Sequence, residues 1–181
     1  MVDHYFIDAY NVILKSTSLR RQARMDLELA RDALLEMALS FCLLGRNEVT
    51  VVFDGRDQQS HIPILDRLGR TSLLHIHFSP SGSTADAVIE RMIYQAEQRM
   101  HCIVVSNDRS LRDQCRGMGA MTMEADSFLN SIKQMQQRVS EQLDGRRLPR
   151  VSLIEDRLNG RSQKALEELR QKLARKQSKT K

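Results

Sequence analysis

The sequence has no tryptophan and only three tyrosines and five phenylalanines. So few aromatics leave little surface for stacking nucleobases. No stretch approaches the roughly 20 apolar residues that a membrane span requires, so the chain reads as soluble and globular. Residues 1–8, MVDHYFID, carry neither a basic leader region nor a small-residue cleavage site, and a secretory signal is not expected. The three cysteines, Cys42, Cys102 and Cys115, are an odd number at wide spacing in apolar surroundings. There they behave as small hydrophobes, and a reducing cytoplasm is the expected location.

Two common motifs are also missing. The G-x-G-x-x-G turn of a dinucleotide-binding unit is replaced after the first strand by Asp8-Ala9-Tyr10-Asn11, and an acid there repels pyrophosphate. His75 and His77 share a strand face without a cysteine pair nearby, and His4, His61 and His101 are scattered, which makes a poor zinc site.

At 181 residues there is room for one compact α/β domain with an appendage, not for two separate cores. Charge divides the chain the same way. Residues 1–132 hold 14 Lys+Arg against 17 Asp+Glu, net −3, whereas residues 133–181 hold 14 against 6, net +8. A basic arm on an acidic body reads either as a polyanion-binding segment, nucleic acid being the obvious polyanion, or as a solvated lysine- and arginine-rich helix.

Short apolar runs at 2–7, 49–53, 73–78, 102–105 and 120–123 predict five strands. Helical spacing of apolar residues predicts helices over 26–44, 85–100, 110–115 and 127–143. Alternation of the two predicts a mostly parallel sheet with helices on its faces. The run Asp144-Gly145-Arg146-Arg147-Leu148-Pro149-Arg150 breaks the pattern, so a domain of residues 1–143 and a basic linker and helical tail of 144–181 are expected. Within the tail, Leu166, Leu169 and Leu173 space a marginal helix over 162–176.

Ligands of open parallel sheets gather beyond the carboxyl ends of the strands. Asp8, Asp54, Asp86 and Asp108 follow four successive predicted strands. Carboxylates crowded at one rim raise one another's pKa unless cations neutralise them, and Mg2+ or Mn2+ suits oxygen ligands of this kind. Glu90, four residues after Asp86, lies on the same helix face and supports a metal directly or through water. Taken singly, these acids also read as ordinary structure: Asp86 as the acid of a capping box after Ser83, Asp108 or Asn107 as an N-cap, Asp54-Gly55 as a turn. Asp8 has no helix visibly starting beside it to cap, which favours function there. Asn11 reads as orienting a water or an Asp8 oxygen, or as an Asx turn. Arg109 and Arg56 read equally as phosphate partners or as solvated residues.

Phe6-Ile7-Asp8-Ala9-Tyr10-Asn11-Val12-Ile13 resembles the opening of NYN domains, in particular the YacP-like branch of the PIN-like nucleases. Val51-Val52-Phe53-Asp54-Gly55, Thr84-Ala85-Asp86 with Glu90, and Val104-Val105-Ser106-Asn107-Asp108-Arg109 follow in the family's order, so the resemblance covers about residues 2–130. It implies a three-layer α/β/α PIN-like domain that cleaves RNA with divalent metal held at Asp8, Asp86 and Asp108, with Asn11 and Asp54 lining the site. It also implies action on ribosome-associated mRNA. Ala9 stands where the family commonly has Gly, and no second acid follows Asp108-Arg109 until Asp113. In the tail, Arg146, Arg147 and Arg150 lead the residues expected to grip RNA phosphates without base specificity. The competing reading is a non-catalytic RNA- or ribosome-binding protein of the same fold. An aspartyl phosphatase ranks third, because its usual second acid is Tyr10 here.

Overall fold

The computed structural model describes residues 2–55 and 73–145, with side chains to residue 141. Five strands form one parallel sheet: β1 (His4–Asp8), β2 (Glu48–Phe53), β3 (Leu74–Phe78), β4 (Cys102–Val105) and β5 (Met121–Met123). Six α-helices accompany them among the described residues: α1 (Ala9–Lys15), α2 (Thr17–Met25), α3 (Leu27–Gly45), α4 (Ala85–Gln95), α5 (Arg109–Gly117) and, after the last strand, α6 (Ala125–Gly145). A parallel sheet covered on both faces needs strands without a polar side, and the whole of β4, Cys-Ile-Val-Val, is buried.

The strand order is β3-β2-β1-β4-β5. β1 pairs with β2 through Ile7↔Val51 and Asp8↔Val52, and with β4 through Ile7↔Val105. The chain thus winds outward from β1 to β3, then returns to the other side of β1. The reversal between β1 and β4 opens a crevice at their carboxyl ends, the general ligand position of such sheets.

Alternation along the strands feeds two cores. Ile7, Val49, Val51, Phe53 and Val105 pack with Leu34, Leu35 and Phe41 of α3 and Phe128 and Ile132 of α6. Phe6, Val52 and Val104 pack on the other face with Ile89 and Ile93 of α4 and Leu111 and Cys115 of α5. The result is the expected three-layer α/β/α arrangement.

Two helices were not expected. α1 places Ala9, Val12 and Ile13 in the core, but its seven residues are too few to show a helical period and include β-branched Val12 and Ile13, so the sequence does not signal it. α2 buries only Leu19, and so narrow an apolar contact gives a weak periodic signal. The helix expected to reach residue 100 stops at Gln95, and a single 3-10 turn, Arg99–His101, leads into β4. The polar run Glu97-Gln98-Arg99 has no apolar face to bury. Residues 1–138 form one compact unit, and α6 runs on to Gly145. The tail expected to contain Arg146, Arg147, Arg150 and the 162–176 helix lies outside the described residues, as does Arg56.

The end of β2 is clamped to the loop after β3. The Gly55 amide donates to Ser79 Oγ at 2.8 Å, the Ser79 amide donates to the Phe53 carbonyl at 2.8 Å, and Ser79 Oγ donates to the Ser83 carbonyl at 3.1 Å. A Cβ on Gly55 would sit 1.7 Å from the Ser79 carbonyl oxygen, a backbone atom with no easy escape. Gly55→Ala is therefore expected to destabilise the fold by about 1–3 kcal/mol, as overpacking does. Thermal unfolding measures this, and an unchanged Tm would mean that the clamp does not exist in solution.

Candidate active site

Asp8 is both the last residue of β1 and the N-cap of α1. Its Oδ1 accepts from the Asn11 amide at 3.1 Å, and its Oδ2 accepts from Ser106 Oγ at 3.3 Å. This corrects the expectation that Asp8 had no helix to cap, for α1 begins at the very next residue. Only 7% of Asp8 remains exposed, so the cap is also a buried charge.

Ser106, fully buried at the end of β4, ties two acids together. Its hydroxyl donates to Asp8 and accepts the Asp108 amide at 3.0 Å. Asn11 completes the connection: its Oδ1 accepts the Asn107 amide at 2.7 Å, and Asn107 Oδ1 in turn accepts the Ala125 amide that starts α6 at 2.7 Å. The Asn11 side-chain carbonyl thus holds the β4–α5 loop, while its backbone amide binds Asp8.

The other acids sit at helix starts. Asp54, just past β2, sends Oδ1 across 31 residues to accept the Ala85 amide at 2.7 Å, while Thr84 caps the same helix locally by accepting the Ala87 amide at 3.2 Å. Asp108 caps α5, its Oδ1 accepting from the amides of Ser110 and Leu111. Asp86 lies in the first turn of α4, half-buried. Helix N-termini carry unpaired amides and positive potential, so carboxylates gain there in two ways.

That gain is incomplete. Burial pushes the Asp8 carboxyl from 3.8 up to about 6, opposed by its hydrogen bonds from Asn11 and Ser106, with the charges of Asp86 and Asp54 adding to the rise. Asp86 is raised by burial first, then by Asp108, Asp54 and Glu90. Acids from four separate connections therefore share one field. Among the described residues no lysine or arginine is ion-paired with Asp8, Asp54, Asp86 or Asp108.

This donor set is oxygen-only and negatively charged, and it suits a hard divalent cation, which Mg2+ sites hold through one or two carboxylates and several waters. The spacing is open: among the described residues, no three His, Cys, Asp or Glu side chains stand together as a closed metal-holding group. Asp54 and Asp108 each leave Oδ2, and Asp86 both oxygens, without a hydrogen-bond partner among the described residues.

Glu90 stands one turn beyond Asp86 and contributes to its field, and to that of buried Cys115. Arg109 is not drawn into the site. Its side chain is 90% exposed and pairs with Asp113 at 3.6 Å, and Asp113 also pairs with Arg116 at 2.9 Å. The sequence reading assigned no role to Ser106, although a serine between a buried strand and Asn-Asp is a usable signal. It also missed Arg31, 4% exposed, whose position between Leu27 and Leu34 on the apolar face of α3 marks a buried charge. Its Nε donates to the Tyr10 hydroxyl at 3.0 Å.

Comparison with known proteins places this geometry. The chain resembles the crystal structure of Rae1 (YacP) from Bacillus subtilis with a TM-score of 0.64 at 20% identity, over 98% of this chain and 95% of that one. A tryptophan-to-leucine mutant of the same Bacillus subtilis protein gives 0.67 at 19% identity, over 93% and 99%. These likenesses establish the fold. No curated protein matches the sequence. The profile of the YacP-like NYN domain matches residues 5–171, from β1 through most of the basic segment. The chain belongs to the YacP-like NYN domain family.

Proposed function

We propose that the protein is a divalent-metal-dependent endoribonuclease whose site is the acidic rim at the β1–β4 crevice. The observation that carries this reading is the convergence of acids from four connections: burial raises Asp8 and Asp86 first, and Asp86 and Asp54 add to the rise at Asp8 as Asp108, Asp54 and Glu90 add to it at Asp86. Keeping buried acids charged is costly unless something positive joins them. Membership of a nuclease family supports RNA as the substrate class, and the NYN and PIN-like nucleases are generally metal-dependent.

Asp86, Asp54 and Asp108 offer the unengaged oxygens and would hold Mg2+ or Mn2+, with Asp8 behind them and Glu90 one turn away. A cation bound there supplies a water of lowered pKa and neutralises charge developing at the scissile phosphate. The protein's own part is positioning. The Asn11 amide and Ser106 fix Asp8, the α5 amides fix Asp108 and the α4 amide of Ala85 fixes Asp54, so little reorganisation remains when substrate arrives. The basic segment, led by Arg146, Arg147 and Arg150, supplies affinity for phosphates. Ribosome-associated mRNA as the target belongs to the same proposal, as does cytoplasmic location, which the free buried thiols Cys42, Cys102 and Cys115 support.

A non-catalytic RNA-binding role is the second reading, favoured by the open spacing of the acids. Asp86→Asn separates the two. If the acids hold a catalytic metal, removing one ligand forfeits several kcal/mol of charge stabilisation, and cleavage should fall about 1,000-fold while RNA binding changes little. An unaltered chain that binds RNA without cutting it in Mg2+ or Mn2+ would leave the second reading standing.

Protonation gives an independent test. The folded chain holds the Asp8 proton more tightly than the unfolded chain, so without divalent ion this group favours folding near pH 4, and its contribution declines as pH rises from 3.8 through about 6. Metal binding requires the deprotonated acid, so its pH dependence runs the other way. The rise in Tm produced by Mn2+ should be small at pH 5 and large at pH 7.5, with cleavage following it. An equal shift at both values would detach Asp8 from the metal.

Replacing Arg146, Arg147 and Arg150 together by Gln should lower the slope of log affinity against log salt for single-stranded RNA by about 2, if each contacts a phosphate. Filter binding across a salt series measures this, and an unchanged slope would remove these residues from the interface.

A further inference from the structure

A cleft of about 660 Å3 opens beside the acidic rim, walled by Tyr10, Leu27, Asp54, Gly55 and the 80–84 loop. That volume is within the range of about 300–1,000 Å3 typical of small-molecule sites. Asp54 belongs to both the cleft and the acid group, so the two spaces adjoin. Tyr10 stands two residues after Asp8, at the point where β1 gives way to α1.

The Tyr10 ring is fixed in place. Arg31, buried beneath it, donates to its hydroxyl and holds its guanidinium carbon 5.6 Å from the ring centroid. Phe53 meets it edge-on, with centroids 5.9 Å apart at 78°. An aromatic held this firmly loses little freedom when a planar ligand lies on it, which makes it an efficient stacking platform. The other tyrosines are placed differently: Tyr5 packs edge-on against Phe41 in the core, and Tyr94 projects from α4.

The chemistry of the walls selects the occupant. Leu27 and Pro80 add apolar surface, Ser81, Ser83 and Thr84 add hydroxyl-bearing side chains, and among the described residues the only charged lining group is an acid, Asp54. A phosphate inside would face that carboxylate with no basic lining group among the described residues, whereas an uncharged heterocycle gains the Tyr10 ring and hydroxyls at its edge. We infer that this cleft seats the nucleobase next to the scissile phosphate, stacked on Tyr10, while the phosphate itself lies at the acids. The placement of the phosphate rests on the nuclease reading above; the stacking of a base does not. Scarcity of aromatics thus does not abolish stacking.

The test scans 2-aminopurine, whose fluorescence is quenched by stacking, along a single-stranded RNA bound to the full chain carrying Asp86→Asn, so that the RNA stays intact. One position should be quenched several-fold on binding, and Tyr10→Phe should retain that quenching. Tyr10→Ala and Tyr10→Leu should both lose it and weaken binding about 5- to 100-fold, the range for loss of one base–aromatic stack. The leucine variant keeps apolar bulk against Phe53, so it reports on stacking even where alanine unfolds the chain. Quenching at no position, or quenching that survives in the leucine variant, overturns the cleft assignment. Cleavage of RNA by the unaltered chain is read separately. Cleavage without Tyr10-dependent quenching removes the cleft and leaves the nuclease; quenching without cleavage upholds the cleft and removes the nuclease.

Discussion

Everything at the rim depends on hydrogen bonds from backbone amides at helix starts to carboxylates that repel one another. Asp8 binds the Asn11 amide in α1, Asp54 the Ala85 amide at the start of α4, and Asp108 the amides of Ser110 and Leu111 in α5. Each bond satisfies an amide that a helix terminus would otherwise leave unpaired, and each places a negative charge at the positive end of a helix. The fold therefore pulls inward on acids that electrostatics pushes apart. The raised carboxyls of Asp8 and Asp86 record burial first and then the repulsion of neighbouring acids.

This explains why capping and function, posed as alternatives at each acid, do not exclude one another. A cap acid belongs at the N-terminus of a helix, and in a parallel sheet the helix following a strand begins at that strand's carboxyl end. The carboxyl ends of parallel strands are also where ligands collect. Asp8 and Asp108 hold their positions because they cap, Asp54 because it binds the first amide of α4, and all three lie at one edge of the sheet.

How far the sequence could be read follows from the same physics. β4 is an uninterrupted apolar run and β1 and β2 are apolar through residues 5–7 and 51–53, as strands buried on both faces require, and α3 and α4 present apolar stripes wide enough to show their period. The α1–α2 segment hid because α1 is short and β-branched and α2 buries a single side chain. Missing α1 produced the error at Asp8. The order of the acids was legible, because the strands that deliver them were. The links between them were not: Ser106 joins Asp8 to Asp108 across 98 residues of sequence, and Asn11 reaches Asn107 across 96. Such contacts exist only because β1 and β4 are neighbours, and that adjacency comes from a reversal of strand order which local spacing does not encode.

Charge then organises the molecule in a way no single site residue does. The first 132 residues are net negative and the remainder strongly positive, so any polyanion is repelled where the acids lie and attracted elsewhere on the same chain. Under the proposed activity the two terms need each other. Phosphate contacts from a basic segment carry no base specificity and hold RNA near the body at any position, but a phosphodiester enters the acidic rim only when a divalent cation offsets both charges. In that proposal affinity is separated from commitment: binding would be broad and salt-sensitive, and entry conditional on the metal. An uncharged base faces no such barrier at the Tyr10 cleft, so it is the part of the substrate that can settle first and bring its neighbouring phosphate to the acids.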